Sequence, residues 1–187
     1  MFKKLYFLYD FIKNMGSKYI LYKIYHLLSI KIGLFKYKFP TQTKNINFTN
    51  KDNWIKNLPV FFFNGKNISL KRSPNEDLKK NFKNIKNGYL TFFNSKKIYI
   101  GKNYDWITNP LNNYKYNIKK PWYSINTLDK NAGDIKYVWE KSRFNFLYDI
   151  IRYDYHYEID KSKFVFNKIE DFIDKNPINM GPNYVCS

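Results

Sequence analysis

The sequence predicts a mainly α protein carrying a small, irregular β-hairpin segment. Three observations support this. Apolar residues recur at helical spacing near both ends of the chain. Between them the strand-like runs are short and are punctuated by Asn-Gly pairs. With 44% hydrophobic and 21% aromatic residues, the chain can fill a packed core, unlike a disordered chain.

Residues 1–40 form a helical N-terminal segment. Phe2 to Leu34 reads as one or two helices interrupted near Met15-Gly16-Ser17, with Ser17 available as an N-cap for the second. Gly33 and Pro40 close the segment. Ile20, Ile24, Leu27, Leu28 and Leu34 make an apolar stripe. The expectation is a helix docked on the protein's own core; the alternative is a helix lying on a membrane surface. Asp10 interrupts the first apolar run and no small-residue cleavage site follows, so no signal peptide is recognised. Lys23 and Lys31 break the next run, so no transmembrane segment is expected. This leaves a cytoplasmic or undetermined compartment.

Residues 41–131 form the irregular segment. Val60 to Phe63, Tyr89 to Phe93 and Lys97 to Ile100 are short β-type runs, and the last two are joined at Asn94-Ser95 as a hairpin. Asn64-Gly65 and Asn87-Gly88 mark further turns. Trp54, Trp106 and Trp122 call for burial, so this segment is not a linker. Helical periodicity here is weak.

Residues 132–187 read most clearly. Asp134 caps a helix whose stripe is Ile135, Val138, Trp139, Phe146, Leu147, Ile150 and Ile151, running to about Tyr155. After a break at Tyr157 to Lys161, Val165, Ile169, Phe172 and Ile173 make a second stripe, which Asn176-Pro177 ends. The two helices form an αα-hairpin.

The formal net charge is +18, yet only Arg72, Arg143 and Arg152 are arginines. Asn, Ile, Tyr and Phe are abundant together with Lys, the joint bias of an AT-rich coding sequence. Charge alone therefore selects no partner, and scarce arginine argues against a nucleic-acid reader. Cys186 is the one cysteine, and His26 and His156 are the two histidines, so neither an internal disulfide nor a thiol-rich or multi-imidazole metal site is expected. No cofactor is expected either.

One ordered set of motifs stands out: GDIKYVWEKSRFNFLYDI, then FIDKNP, then GPNY. Its elements are Gly133, Asp134, Lys136, Trp139, Glu140, Arg143, Asn176, Pro177, Gly181 and Asn183, preceded by Asp105-Trp106 and Asn109-Pro110. This set resembles the N-terminal region of the heparinase II/III-like polysaccharide lyases. Residues 1–40 are similar to the N-terminus of members from bacterial surface-polysaccharide loci. The chain departs from the family pattern at Ser142, where Asn is usual, at Leu111 to Asn113, where Gly and Trp are usual, and at Tyr184, where Trp is usual.

The resemblance implies an incomplete (α/α) toroid with residues 132–187 at its start. It also implies β-elimination on uronic-acid-containing polysaccharides of the glycosaminoglycan or alginate kind. That reaction needs neutralisation of the uronate carboxylate, a base for the α-proton and an acid for the leaving oxygen. The family is expected to supply these groups from later toroid helices and beyond, so no catalytic residue is assigned and the chain is expected to be inactive alone.

The candidate substrate-binding residues are Asn109, Lys136, Trp139, Glu140, Arg143 and Asn183. Lys136, Glu140 and Arg143 fall at i, i+4 and i+7 of one helix. They read either as a ribbon meeting a sugar carboxylate beside a Trp139 platform, or as a helix-packing ion pair. Asn109 and Asn183 either touch substrate or close their own turns. Trp106 and Trp122 are sugar platforms or core residues. His156 reads as a cation at a helix C-terminus, with a general base as the alternative. Three functions remain: a lyase fragment, a non-catalytic acidic-glycan-binding module, and a basic nucleic-acid or membrane-surface protein.

Overall fold

A computed structural model of the chain describes residues 9–10, 12–42, 53, 56–57, 70–103 and 105–185. Val60 to Phe63, Asn64-Gly65, Trp54 and Cys186 lie outside the described residues. The architecture is mainly helical with one two-stranded antiparallel sheet among the described residues. The chain divides into two compact units, Met1–Thr41 and Gln42–Ser187.

In the first unit, α1 spans Ser17–Lys31 and α2 spans Leu34–Lys38. The break before α1 falls at Gly16, as the sequence indicates. Gly16 itself is the N-cap, with φ 77, and Ser17 is already helical with no side-chain cap. Ser29 is the buried residue of α1. Within its own unit the aliphatic stripe is largely open: Ile24, Leu27, Leu28 and Leu34 are all about half exposed, while Ile20 is half-buried. Ser29 is buried and His26 and Ile30 are half-buried, with the His26 ring set edge-on to Phe35 at 4.8 Å.

In the second unit α3 spans Glu76–Lys86, which sequence periodicity did not single out. It is well specified locally. The Asn75 side chain accepts from the Leu78 amide at 2.9 Å, Glu76 and Asp77 sit in the first turn, and Lys83 and Lys86 sit in the last. Leu78 and Ile85 are its buried residues. Gly88, at φ 86, then turns the chain into β1, Tyr89–Phe92. A Cβ on Gly88 would lie 2.4 Å from the Gly101 carbonyl carbon, so only glycine fits there. β1 pairs with β2, Lys96–Tyr99, in the register Phe92↔Lys96. The connection is Phe93 to Ser95, one residue longer than the predicted pair, with Phe93 and Asn94 both at positive φ.

Three helices complete the unit: α4, Lys136–Ser142; α5, Asn145–Tyr157; and α6, Ser162–Lys175. The single long helix predicted from Asp134 to Tyr155 is thus two helices. Phe144 breaks it at φ 58, and its ring packs edge-on against Trp106 at 5.6 Å and Phe172 at 5.2 Å. Packing that partly buried ring against the core outweighs one residue of left-handed backbone strain. Asp134 still supports the start of α4, its Oδ1 accepting from the Lys136 amide at 2.9 Å. The break between α5 and α6 falls where predicted, and Asp154 Oδ2 accepts from the Lys161 amide across it.

The main core joins Ile85, Leu90, Phe92, Trp106, Phe146, Leu147 and Ile150, with Val165, Ile169 and Phe172 of α6 packed against it. Ile151 and Ile173, counted in the predicted stripes, are exposed. A smaller cluster of Tyr116, Ala132, Ile135 and Val138 fills the space under the 105–135 loops. His156 lies in the last turn of α5, where its Nδ1 accepts from the Ser73 amide at 3.0 Å.

Candidate functional site: a frame of motif residues and the clefts beside Asp105

The motif residues converge in space. Asn109, 1% exposed, donates from Nδ2 to the carbonyls of Ala132 at 2.8 Å and Asp134 at 3.2 Å, and accepts from the Leu111 amide at 3.0 Å. Asn183 donates to Trp106 O at 2.9 Å and Asn176 Oδ1 at 2.7 Å, and accepts from the Ser142 hydroxyl at 3.1 Å. The Trp139 indole N–H donates to Pro182 O at 2.8 Å, and that of Trp106 donates to Asp171 at 2.7 Å. Glu140, 9% exposed, receives Arg143 at 3.0 Å and the Phe93 amide at 3.3 Å. These bonds lace the 105–112 loop, α4 and the 176–184 segment into one frame.

Four of the six candidate binding residues, Asn109, Trp139, Glu140 and Asn183, therefore make bonds that hold this frame together. Lys136 and Arg143 present exposed side chains. Glu140 pairs with Arg143 one turn on, while Lys136 projects from the first turn of α4. Trp106 is a core residue at 2% exposure, and Trp122 is half-buried.

One residue escaped the sequence reading. Lys141 is 3% exposed, and its ammonium donates to Thr108 O at 2.6 Å and to Asp105 O. Among the described residues no carboxylate lies within salt-bridge distance of it. Burial pushes its pKa down from 10.5 to about 8, against the pull of the Asp105 charge. Lys141 lines a cleft of about 290 Å³ together with Tyr99, Gly101, Asp105, Thr108 and Asn113. Asp105 also lines a second cleft of about 320 Å³ that carries Lys115 and Lys175. Burial by itself would raise the Asp105 pKa. The Thr108 hydroxyl, the Ile107 amide, Lys115 and Lys141 outweigh it and hold the carboxyl below its usual range. The available signal for Lys141 was its register: it follows Ile135 and Val138 at three-residue steps, in line with their buried side.

Chemically, this arrangement offers a desolvated cation, two further lysines, a charged carboxylate, a hydroxyl and an exposed aromatic ring. Such groups suit a polyhydroxylated anion. Among the described residues no three His, Cys, Asp or Glu side chains gather as a metal site would need, and no helix is long and apolar enough to cross a membrane. No protein-family model, curated protein or solved structure matches the chain.

Proposed function

We propose that this chain is the glycan-holding N-terminal part of a heparinase II/III-like polysaccharide lyase, with α4 to α6 as the start of an (α/α) toroid. Its ligand is a uronic-acid-containing polysaccharide. The observation that carries the reading is Lys141, a buried ammonium with only carbonyl partners, set in the wall of a cleft. A buried charge is strongly favoured by an opposite charge brought to it, and a sugar carboxylate is such a group. The two clefts that share Asp105 are each close to the roughly 300 Å³ at which small-molecule sites begin. On this reading they take neighbouring residues of the glycan, with Tyr99 as a stacking face and Asp105, Thr108 and Asn113 as hydroxyl partners. The motif frame behind them fixes the loop whose carbonyls hold Lys141.

Within β-elimination, a cation beside the uronate carboxylate lowers the barrier to removal of the α-proton. The chain's own assigned part is to bind and polarise, and no base or acid for the elimination is assigned among its residues. Calorimetry of the full chain with oligogalacturonate and with neutral maltohexaose tests this. Binding of the acidic oligomer alone, lost in Lys141→Met, is the expected result. Equal binding of both sugars, or none of the acidic one, would overturn it.

A further inference from the structure

The first unit carries an exposed aliphatic face. Along α1, Leu21, Ile24, Leu28 and Ile32 form one continuous face and are 67%, 50%, 53% and 69% exposed. Tyr25 and Leu27 flank it at 63% and 56%. Away from it lie buried Ser29 and half-buried His26 and Ile30, with His26 packed toward α2 through Phe35. A helix of a water-soluble core has the reverse arrangement, and an exposed apolar face of this size marks a contact surface.

The charges around the face identify what it contacts. Lys18, Lys23 and Lys31 of α1 and Lys36 and Lys38 of α2 are all exposed. Residues 1–41 hold eight Lys against one acid, Asp10, whereas the remainder holds 25 Lys and Arg against 14 Asp and Glu. Basic residues are about equally dense in the two parts; what sets the first apart is the near absence of acids to offset them. Exposed Tyr22, Tyr25 and Tyr37, at 62%, 63% and 90%, supply rings with one apolar and one polar end, the residue type of membrane–water interfaces. A second copy of the chain would bring lysine rim against lysine rim with almost no acid to offset them. Nucleic acid would leave the aliphatic face wet. No described helix is long and apolar enough to cross a membrane.

We propose that α1 lies along the surface of an anionic lipid bilayer, its aliphatic face buried at the acyl boundary and its lysines reaching the headgroups. This inference is independent of the glycan reading, because it uses none of the residues of the second unit.

The test is co-sedimentation of the full chain with vesicles of phosphatidylcholine, with and without phosphatidylglycerol, at physiological salt. The expected result is binding only to vesicles containing phosphatidylglycerol. The Leu21→Glu/Leu28→Glu pair should weaken it at least about ten-fold, and so should the Lys18→Gln/Lys23→Gln/Lys31→Gln triple variant. Leu128→Glu, which places the same charge at an 88% exposed leucine outside the first unit, should leave binding unchanged. All these side chains are exposed, so circular dichroism should match the parent; if the glutamate pair unfolds, the lysine variant decides. Equal binding to both vesicle types, no binding to either, or self-association through Leu21 and Leu28 in place of vesicle binding would each overturn the proposal.

Discussion

Lys141 shows how one side chain couples stability to ligand chemistry. Its pKa falls from 10.5 to about 8 on folding because burial penalises the charged form. Between those values the unfolded chain holds a proton that the folded chain has released, so stability should rise with pH across about 8 to 10.5. The full span corresponds to roughly 3 kcal/mol. Other groups titrate in the same window, so the quantity to measure is the difference between parent and Lys141→Met in urea denaturation. That difference should shift in favour of the parent as pH rises from 7.5 to 10. Ligand binding should run the opposite way. A carboxylate requires the ammonium form, so affinity for the acidic oligomer should hold steady at neutral pH and decline above about pH 8. A parent chain whose affinity ignores pH between 7 and 10 would remove Lys141 from the site.

At the scale of elements, two junctions carry the sheet and its helix. The Asn75 cap holds the Leu78 amide at the start of α3, and Asn75→Ala should cost about 1 kcal/mol in chemical denaturation. Gly88 is less forgiving. An alanine there would place its Cβ against the Gly101 carbonyl at a φ that side chains resist, so Gly88→Ala should cost on the order of 3 kcal/mol. The Arg72–Glu158 pair near the end of α5 has both side chains more than half exposed and should contribute little, whatever its geometry.

At the scale of the whole molecule, two kinds of positive charge should respond differently to salt. The lysines around α1 are exposed and should be screened as ionic strength rises from about 0.05 to 0.5 M, releasing the chain from anionic vesicles. Lys141 is buried, so acidic-oligosaccharide affinity should fall much less over the same range. Titrating both ligands against salt on one protein preparation separates the two. A net charge of +18 acting as one diffuse field would make the two curves parallel.

The sequence by itself determined those elements whose signals are local. The Gly16 break, the β1–β2 hairpin, the 157–161 connection and the stop at Asn176-Pro177 all follow from turn chemistry and apolar period, read within a few residues of each other. The α3 signal was local too, in Asn75, Glu76 and Asp77, but the high background of Lys and Asn concealed it. Tertiary structure decided the rest. Phe144 breaks a continuous helical pattern because Trp106 and Phe172, distant in sequence, offer its ring a buried place. Asn109, Trp139, Glu140 and Asn183 take up framework bonds because their partners arrive from separate loops. Lys141 becomes a desolvated cation for the same reason. Sequence period records which side of a helix is apolar, while only the assembled neighbours determine whether that side meets a core or is left open.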